Sequence, residues 1–409
     1  MSASDTTEPS HLTLAAPASP FRLALLVLFF LGGCEQPDPF VVAEPGEPLP
    51  GLPQAELRRF HSGQALFARQ FTPEDGLGPT FNENACMACH DIPTSGGVGV
   101  EPVVMATRWL PVEERCDTLE SEGGPLLRRR TTSALQAALA RKGLNRQSLP
   151  PSATASTQLT GPALYGLGLV EAIPEATILS RHDPDDEGTT GRPGRNPDGK
   201  LGRFGIKADR ASLVEFVADA LLTEMGLTSP YRPEELSVDG ASLPPGVDPV
   251  PNPEITEEEV ALLAEYIRYL APPPRLIPED ADSRAKVARG EQLFQTVGCA
   301  TCHVPEMVTG PSQVEALDRR PVPLYSDLLL HDLGPGTASI CSPRAGPSEW
   351  RTAILMGLRF RMELLHDGRA ARLEQAIQLH GGSAAKVREA YFRLDLVEQE
   401  AVLAFLRTL

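Results

Sequence analysis

The sequence predicts an all-α fold of two similar domains with long loops, the first domain enlarged by insertions. Three observations carry this expectation. The pentapeptide Cys-x-x-Cys-His occurs twice, at 86–90 and 299–303, a run with helical apolar spacing leads into each copy, and an amphipathic helix closes each half. At 409 residues the chain exceeds one ordinary core, and 41% apolar residues exclude disorder throughout. Its 35 glycines and 40 prolines call for long loops, and a net charge of −17 repels phosphate backbones, so nucleic acid is not an expected partner.

The elements follow in order. Residues 23–31 read LALLVLFFL, too short for a membrane-spanning helix of roughly 20 residues, and they read as an export signal. Gly32 and Gly33 before Cys34 resemble a lipobox, which implies cleavage before Cys34 and a lipid on its thiol as membrane anchor. A plain secretory signal is the alternative. Glu35 then favours the periplasmic side of the outer membrane, with a free periplasmic protein as the second reading. Residues 1–34 are thus an expected lipoprotein signal peptide and 35–52, rich in proline and acid, a tether.

The first domain is expected over 53–271. It opens with a helix carrying Leu57, Phe60 and Phe67, and closes with one that Thr256 and Glu259 start as a capping box, with Val260, Leu263, Ile267 and Leu270 on one face. Most of 107–255 reads as inserted loops, with one amphipathic helix over 213–221. Ala271-Pro-Pro-Pro-Arg275 ends the closing helix, and 272–282 is a stiff connector. The second domain, 283–409, repeats the plan: Val287 and Phe294 lead into the second motif, and Asp395 with Glu398 opens a last helix bearing Val402, Phe405, Leu406 and Leu409. Gly63-Gln-Ala-Leu-Phe67 parallels Gly290-Glu-Gln-Leu-Phe294.

The motif spacing has a chemical reason. One turn of backbone between Cys86 and Cys89, and between Cys299 and Cys302, places two thiols over the two vinyl groups of one haem, and the next residue, His90 or His303, swings beneath the iron. Two covalent haem c groups are therefore expected. A four-thiolate zinc site fits poorly, because the pairs are far apart and each carries its own histidine. The order of helix, motif, loops and closing helix is that of a cytochrome c domain.

Further runs carry a resemblance: Gly76-Leu-Gly-Pro-Thr-Phe-Asn82, Gly166-Leu-Gly-Leu-Val-Glu-Ala-Ile-Pro174, Gly202-Arg-Phe-Gly-Ile-Lys-Ala208, Tyr325 to Pro335, Glu349-Trp-Arg-Thr352, Leu365-His-Asp-Gly-Arg-Ala370 and His380-Gly-Gly382. Over residues 56–409 the chain resembles the bacterial di-haem oxidoreductases of peroxidase type, relatives of the di-haem cytochrome c peroxidases. It departs from them at Ile206 and at Ile354-Leu-Met-Gly357, where that family usually has tryptophan.

The resemblance implies an exported enzyme that reduces hydrogen peroxide with electrons from a small cytochrome or cupredoxin. A non-enzymatic electron carrier, or an oxidase or oxygenase of an organic or protein substrate, are the other classes. The resemblance also implies His380 as second axial ligand of haem two, from its place 14 residues after His366, with Met356 or Met362 as alternatives. Haem one, held by His90, has no histidine between 91 and 181, which leaves an open iron position unless Met105 or His182 fills it. Glu171 is the expected proton-shuttling carboxylate, with Glu175 second, and His331 and Arg369 are implied partners of the haem propionates.

Weaker features remain. Cys116 and Cys341 form either a disulfide between domains or free thiols. Asp183-Pro-Asp-Asp-Glu-Gly188 has the carboxylates and glycine of a calcium loop but lacks its last glutamate, so a solvated turn competes with one calcium. Arg128-Arg-Arg130 reads as a solvated helix start, with a docking patch as the rival reading. Trp109 and Trp350 are candidate relays between haems.

Overall fold

The computed structural model of the chain describes residues 40–140, 147–183 and 191–409. The Cys34 anchor and the acidic run after Asp183 lie outside these residues. The first half runs α1 (Gln54–Ala68), β1 (Thr80–Phe81), β2 (Val103–Leu110), β3 (Arg115–Asp117), β4 (Leu126–Leu127), β5 (Arg130–Thr131), α2 (Ser133–Ala140), β6 (Ala155–Leu159), α3 (Leu167–Glu171), α4 (Glu175–Leu179), α5 (Leu213–Met225) and α6 (Glu257–Tyr269). The second half runs α7 (Ala281–Thr296), β7 (Met307–Val308), β8 (Pro321–Val322), β9 (Leu330–Asp332), β10 (Glu349–Arg351), α8 (Leu373–Gln378), α9 (Ala385–Arg393) and α10 (Leu396–Leu406).

Local chemistry sets the helix ends. Ser212, Thr256, Asp280 and Asp395 each accept the backbone N–H three residues on, at the starts of α5, α6, α7 and α10, and Glu259 completes the capping box at α6. Gly226, in the left-handed region at φ 66°, ends α5.

Two helix crossings position the motifs. α1 packs across α6, and α7 packs across α10. At each crossing a glycine meets backbone: a Cβ on Gly63 would lie 2.1 Å from the carbonyl oxygen of Leu262, and one on Gly290 would lie 1.9 Å from that of Ala401. No other residue fits there. Aromatic contacts flank both crossings, Phe67 with Tyr266 at 5.0 Å and Phe294 with Phe405 at 5.3 Å between ring centroids.

The fold class, however, is mixed and not all-α: 35% of the described residues are helical and 14% are strand, in several small sheets. The expectation failed in the inserted region. Its Val103-Val-Met-Ala-Thr run is rich in β-branched residues, and β2 pairs antiparallel with β3, β4 and β6, from Val103 opposite Leu159 to Trp109 opposite Cys116. β9 and β10 make a second ribbon, with Trp350 opposite His331. Arg128 is not a solvated helix start either, for it is 3% exposed and donates to the carbonyls of Leu126 and Ser237.

From residue 41 on, the segment expected as a tether packs on the protein. Val41 and Leu49 are buried, and backbone bonds join Leu49 to Tyr269, Ala43 to Pro272 and Ala271 to Glu47. Apolar side chains among the prolines give it something to bury. The main apolar core joins α5 and α6 residues such as Leu221 and Leu263 to Leu324, Leu328 and Met356, while Val287, Phe294, Tyr391 and Phe405 belong to a second cluster. Cys116 on β3 and Cys341 form a disulfide with Cα atoms 5.8 Å apart.

Candidate functional site

A cavity of about 610 Å³ reaches both motifs. All four motif cysteines, His90, His303 and His380 line it, within mainly apolar walls. Each cysteine pair sits on a single 3-10 turn, Cys86–Ala88 or Cys299–Thr301, directly beyond the helix crossing of its half. None of the four cysteines is in a disulfide. Burial pushes the thiols of Cys86 and Cys89 up to about 12 and that of Cys299 to about 11.

The two motif histidines are held alike. The Nδ1 of His90 lies 3.2 Å from the Gly97 carbonyl and that of His303 lies 3.0 Å from the Tyr325 carbonyl. An N–H at Nδ1 donating to that carbonyl leaves Nε2 with its lone pair free, the arrangement of a metal-ligating imidazole. Burial lowers both pKa values, to about 4 for His303, so both rings are neutral. Phe67 and Phe294 stand at matching distances from them, 6.2 and 6.4 Å.

The halves differ on the opposite side of the cavity. His380, just past α8, faces His303 with ring centroids 6.4 Å apart, and its Nδ1 lies 2.7 Å from the Ala376 carbonyl, which again directs Nε2 away from the backbone. With metal–nitrogen bonds of about 2 Å, two imidazoles on one metal put their centroids about that far apart. Among the described residues, no second histidine ring approaches His90. His182 bonds the Gly191 carbonyl and is absent from the cavity lining, whereas Met105 lines it. Met356 is buried against Gly166 but also lines the cavity, so it remains the alternative to His380, whereas Met362 is 59% exposed and does not line it.

Other expected residues fall elsewhere. Glu171 does not line the cavity: one carboxylate oxygen accepts from the Leu213 N–H at the start of α5, the other from Arg268, both at 2.8 Å. Both oxygens therefore serve to join α3, α5 and α6. Glu175 is likewise absent from the lining. Arg369 is tied to Asp367 and lies off the cavity. His331 lines the cavity, but its Nε2 is bound to Asp327 at 2.7 Å and its Nδ1 lies 3.6 Å from the Cys302 sulfur. The Asp327 carboxylate raises the His331 pKa to about 10 against the opposing effect of burial. Trp350 lines the cavity, stacked on His366 at 3.6 Å with the Lys207 ammonium 3.3 Å from its ring centre, and Trp109 does not line it.

The residues present fit two haems. Beyond the thiols and imidazoles, Trp350 Nε1 and His366 Nε2 in the cavity wall are buried with no hydrogen-bond partner among the described residues, the Asp367 carboxylate lying 3.7 Å from His366 Nε2, and a polar bound molecule would satisfy them. Sequence reading missed Glu224, on α5, which lines the cavity near Cys89 and accepts from the Asn82 amide at 2.8 Å. Burial raises its pKa. Its sequence signal, an acid at the end of an apolar helical face, is weak.

Comparison with solved structures finds similarity to the hydrazine synthase of Kuenenia stuttgartiensis, at 14% identity over 98% of this chain and 100% of that one, with a TM-score of 0.41. A MauG-like protein associated with microbial copper homeostasis matches at 14% identity over 90% and 92%, with a TM-score of 0.39. The diheme peroxidase BthA from Burkholderia thailandensis matches at 14% over 86% of each chain, with a TM-score of 0.42. No curated protein matches significantly. Residues 156–409, more than half of the chain, match the family described as "Di-haem oxidoreductase, putative peroxidase", and the chain belongs to that family of haem oxidoreductases.

Proposed function

We propose that this oxidoreductase reduces hydrogen peroxide to water at the His90 site, with electrons that a small cytochrome or cupredoxin delivers at the His303 site. The asymmetry between the halves carries the reading. His303 and His380 face each other at 6.4 Å, as two imidazoles on one metal would, while among the described residues His90 has no second imidazole opposite it. An open position is what a reacting peroxide needs and what electron transfer alone does not need. Covalently attached through Cys86 and Cys89 and through Cys299 and Cys302, the haems would supply the redox chemistry.

The chain's own residues do the rest. His90 and His303, oriented by the Gly97 and Tyr325 carbonyls, would each hold the iron of one haem. Peroxide cleavage also needs a proton moved from one oxygen to the other. That role falls to Glu224 in place of Glu171: it lines the cavity, burial keeps it protonated to higher pH than a solvated glutamate, and Asn82 fixes its orientation. The net charge of −17 favours a basic donor protein. Export and a lipid anchor at Cys34 complete the proposal, placing the enzyme at the periplasmic face of the outer membrane.

Electron paramagnetic resonance of the oxidised, haem-loaded protein tests this reading. One high-spin ferric signal that disappears on adding peroxide, with one low-spin signal retained, is the expected result. Two low-spin signals, unchanged by peroxide both before and after one-electron reduction, would establish an electron carrier instead.

A further inference from the structure

Among the described residues, two arginines in the cavity wall form no ion pair, although Asp327 and Asp209 favour the Arg351 charge from beyond contact distance. Arg351, at the end of β10, and Arg361, ten residues on, both line the cavity, and each is near enough to the other for its charge to disfavour Arg351's own. Arg351 uses its Nε on the Gly205 carbonyl at 2.8 Å and one terminal N–H on the Thr352 carbonyl at 3.1 Å. Its other three N–H groups have no acceptor among the described residues. Arg361 has no side-chain hydrogen bond or ion pair among them, and Tyr165 is the only group that favours its charge, its hydroxyl being spent on the Gly357 carbonyl.

Other arginines, Arg210 of the same cavity wall included, differ in this. Arg59, Arg192, Arg210, Arg268 and Arg275 all hold carboxylates. A guanidinium withdrawn from water with no partner is among the most costly arrangements in a folded chain, and two side by side repel as well. Such groups call for an anion in the space they face. A planar five-donor fork matches a carboxylate in particular.

We infer that Arg351 and Arg361 clamp haem propionate carboxylates in the cavity, the role that sequence resemblance had given to His331 and Arg369. The inference rests on the haem reading and assigns the residues that neutralise the cofactor's own charge. Arg369 cannot serve, being held outside the cavity by Asp367, and His331 already has Asp327. With these cations against its carboxylates, ferrous iron is favoured over ferric; removing one reverses the bias.

The test compares the haem-loaded wild type with R361Q, R351Q and R361K at one fixed solution potential, reading the ferric-to-ferrous ratio of each haem by absorbance and haem content by pyridine haemochrome. The expected result is two haems per chain throughout, a ratio moved toward ferric by about tenfold or more in R361Q or R351Q, and near-complete recovery in R361K. Unchanged ratios in both glutamine variants at full haem content would overturn the clamp. So would unchanged ratios together with a Soret shift that millimolar acetate causes in the wild type and not in R361Q, because the arginines would then serve a free carboxylate. Fewer than two haems c in the wild type would instead overturn the reading on which the inference rests.

Discussion

Removing the Cys116–Cys341 disulfide gives a quantitative check on how the two halves are held. Alanine is the substitution of choice at both positions, because the cysteines are only 6% and 2% exposed and a serine hydroxyl would need an acceptor there. The bond joins residues 225 apart in sequence. If its effect lies in restricting the unfolded chain, closing a loop of that length amounts to about 5 kcal/mol at 25 °C, and native disulfides contribute about 2–5 kcal/mol in practice. Guanidinium unfolding of C116A/C341A, followed by circular dichroism, should show a loss in that range. Dithiothreitol should produce the same loss in the wild type and none in the variant. Because the bond ties β3 to a loop between β9 and β10, the variant should also unfold in a broader transition as the halves separate. A variant within about 1 kcal/mol of the wild type would refute the reasoning: the unfolded chain would then already hold the two cysteines near each other.

Replacing His380 with alanine should add a second high-spin signal in electron paramagnetic resonance and leave the His90 signal as it was; an unchanged spectrum would remove His380 as a ligand. Glu171→Gln should cost about 2–3 kcal/mol of stability, through the Arg268 charge left unpaired, with peroxide turnover kept, whereas Glu224→Gln should cut turnover about 100-fold or more and keep stability. The reverse pattern would restore Glu171 as the proton carrier. Glu235, crowded by Glu254 and Asp248 and part-buried, has its pKa raised from 4.5 to about 8. The folded state therefore binds more protons than the unfolded state between those values, and stability falls as pH rises through that window. Glu235→Gln should flatten the fall, which denaturation at pH 5 and pH 8 will show.

What could be read from the sequence is what is local. The capping residues Thr256 and Asp395 lie within three positions of the groups they bind, and the apolar spacing of α6 and α10 needs only 3.6-residue periodicity. The haem motif is local in the same sense. The strands were missed because β2 has no meaning without β6, which lies beyond α2, and neither segment alone alternates cleanly. Glu171 was misjudged for the same reason: the Leu213 N–H and Arg268 that occupy it come from two other helices. Arg361 gives no sign at all in the sequence, since its distinction is that no described residue pairs with it, and that shows only once the chain is folded around it.

The glycine crossings also bear on the order of folding. In each half the helix that leads into a cysteine pair meets its partner only at the far end of that half, α1 waiting for α6 and α7 for α10. At a synthesis rate of about 5–20 residues per second, the Cys86–His90 segment would exist for many seconds before the residues that enclose it. Such distant pairing is slow to form and easily delayed. On the proposed covalent attachment of haem, the delay would leave both thiols exposed long enough to be joined to it, and the close backbone contact at Gly63 would then shut the site behind them. An alanine at Gly63 would hinder that closure at its last stage, after attachment, so a chain with intact covalent haem and failed packing is the product it should leave.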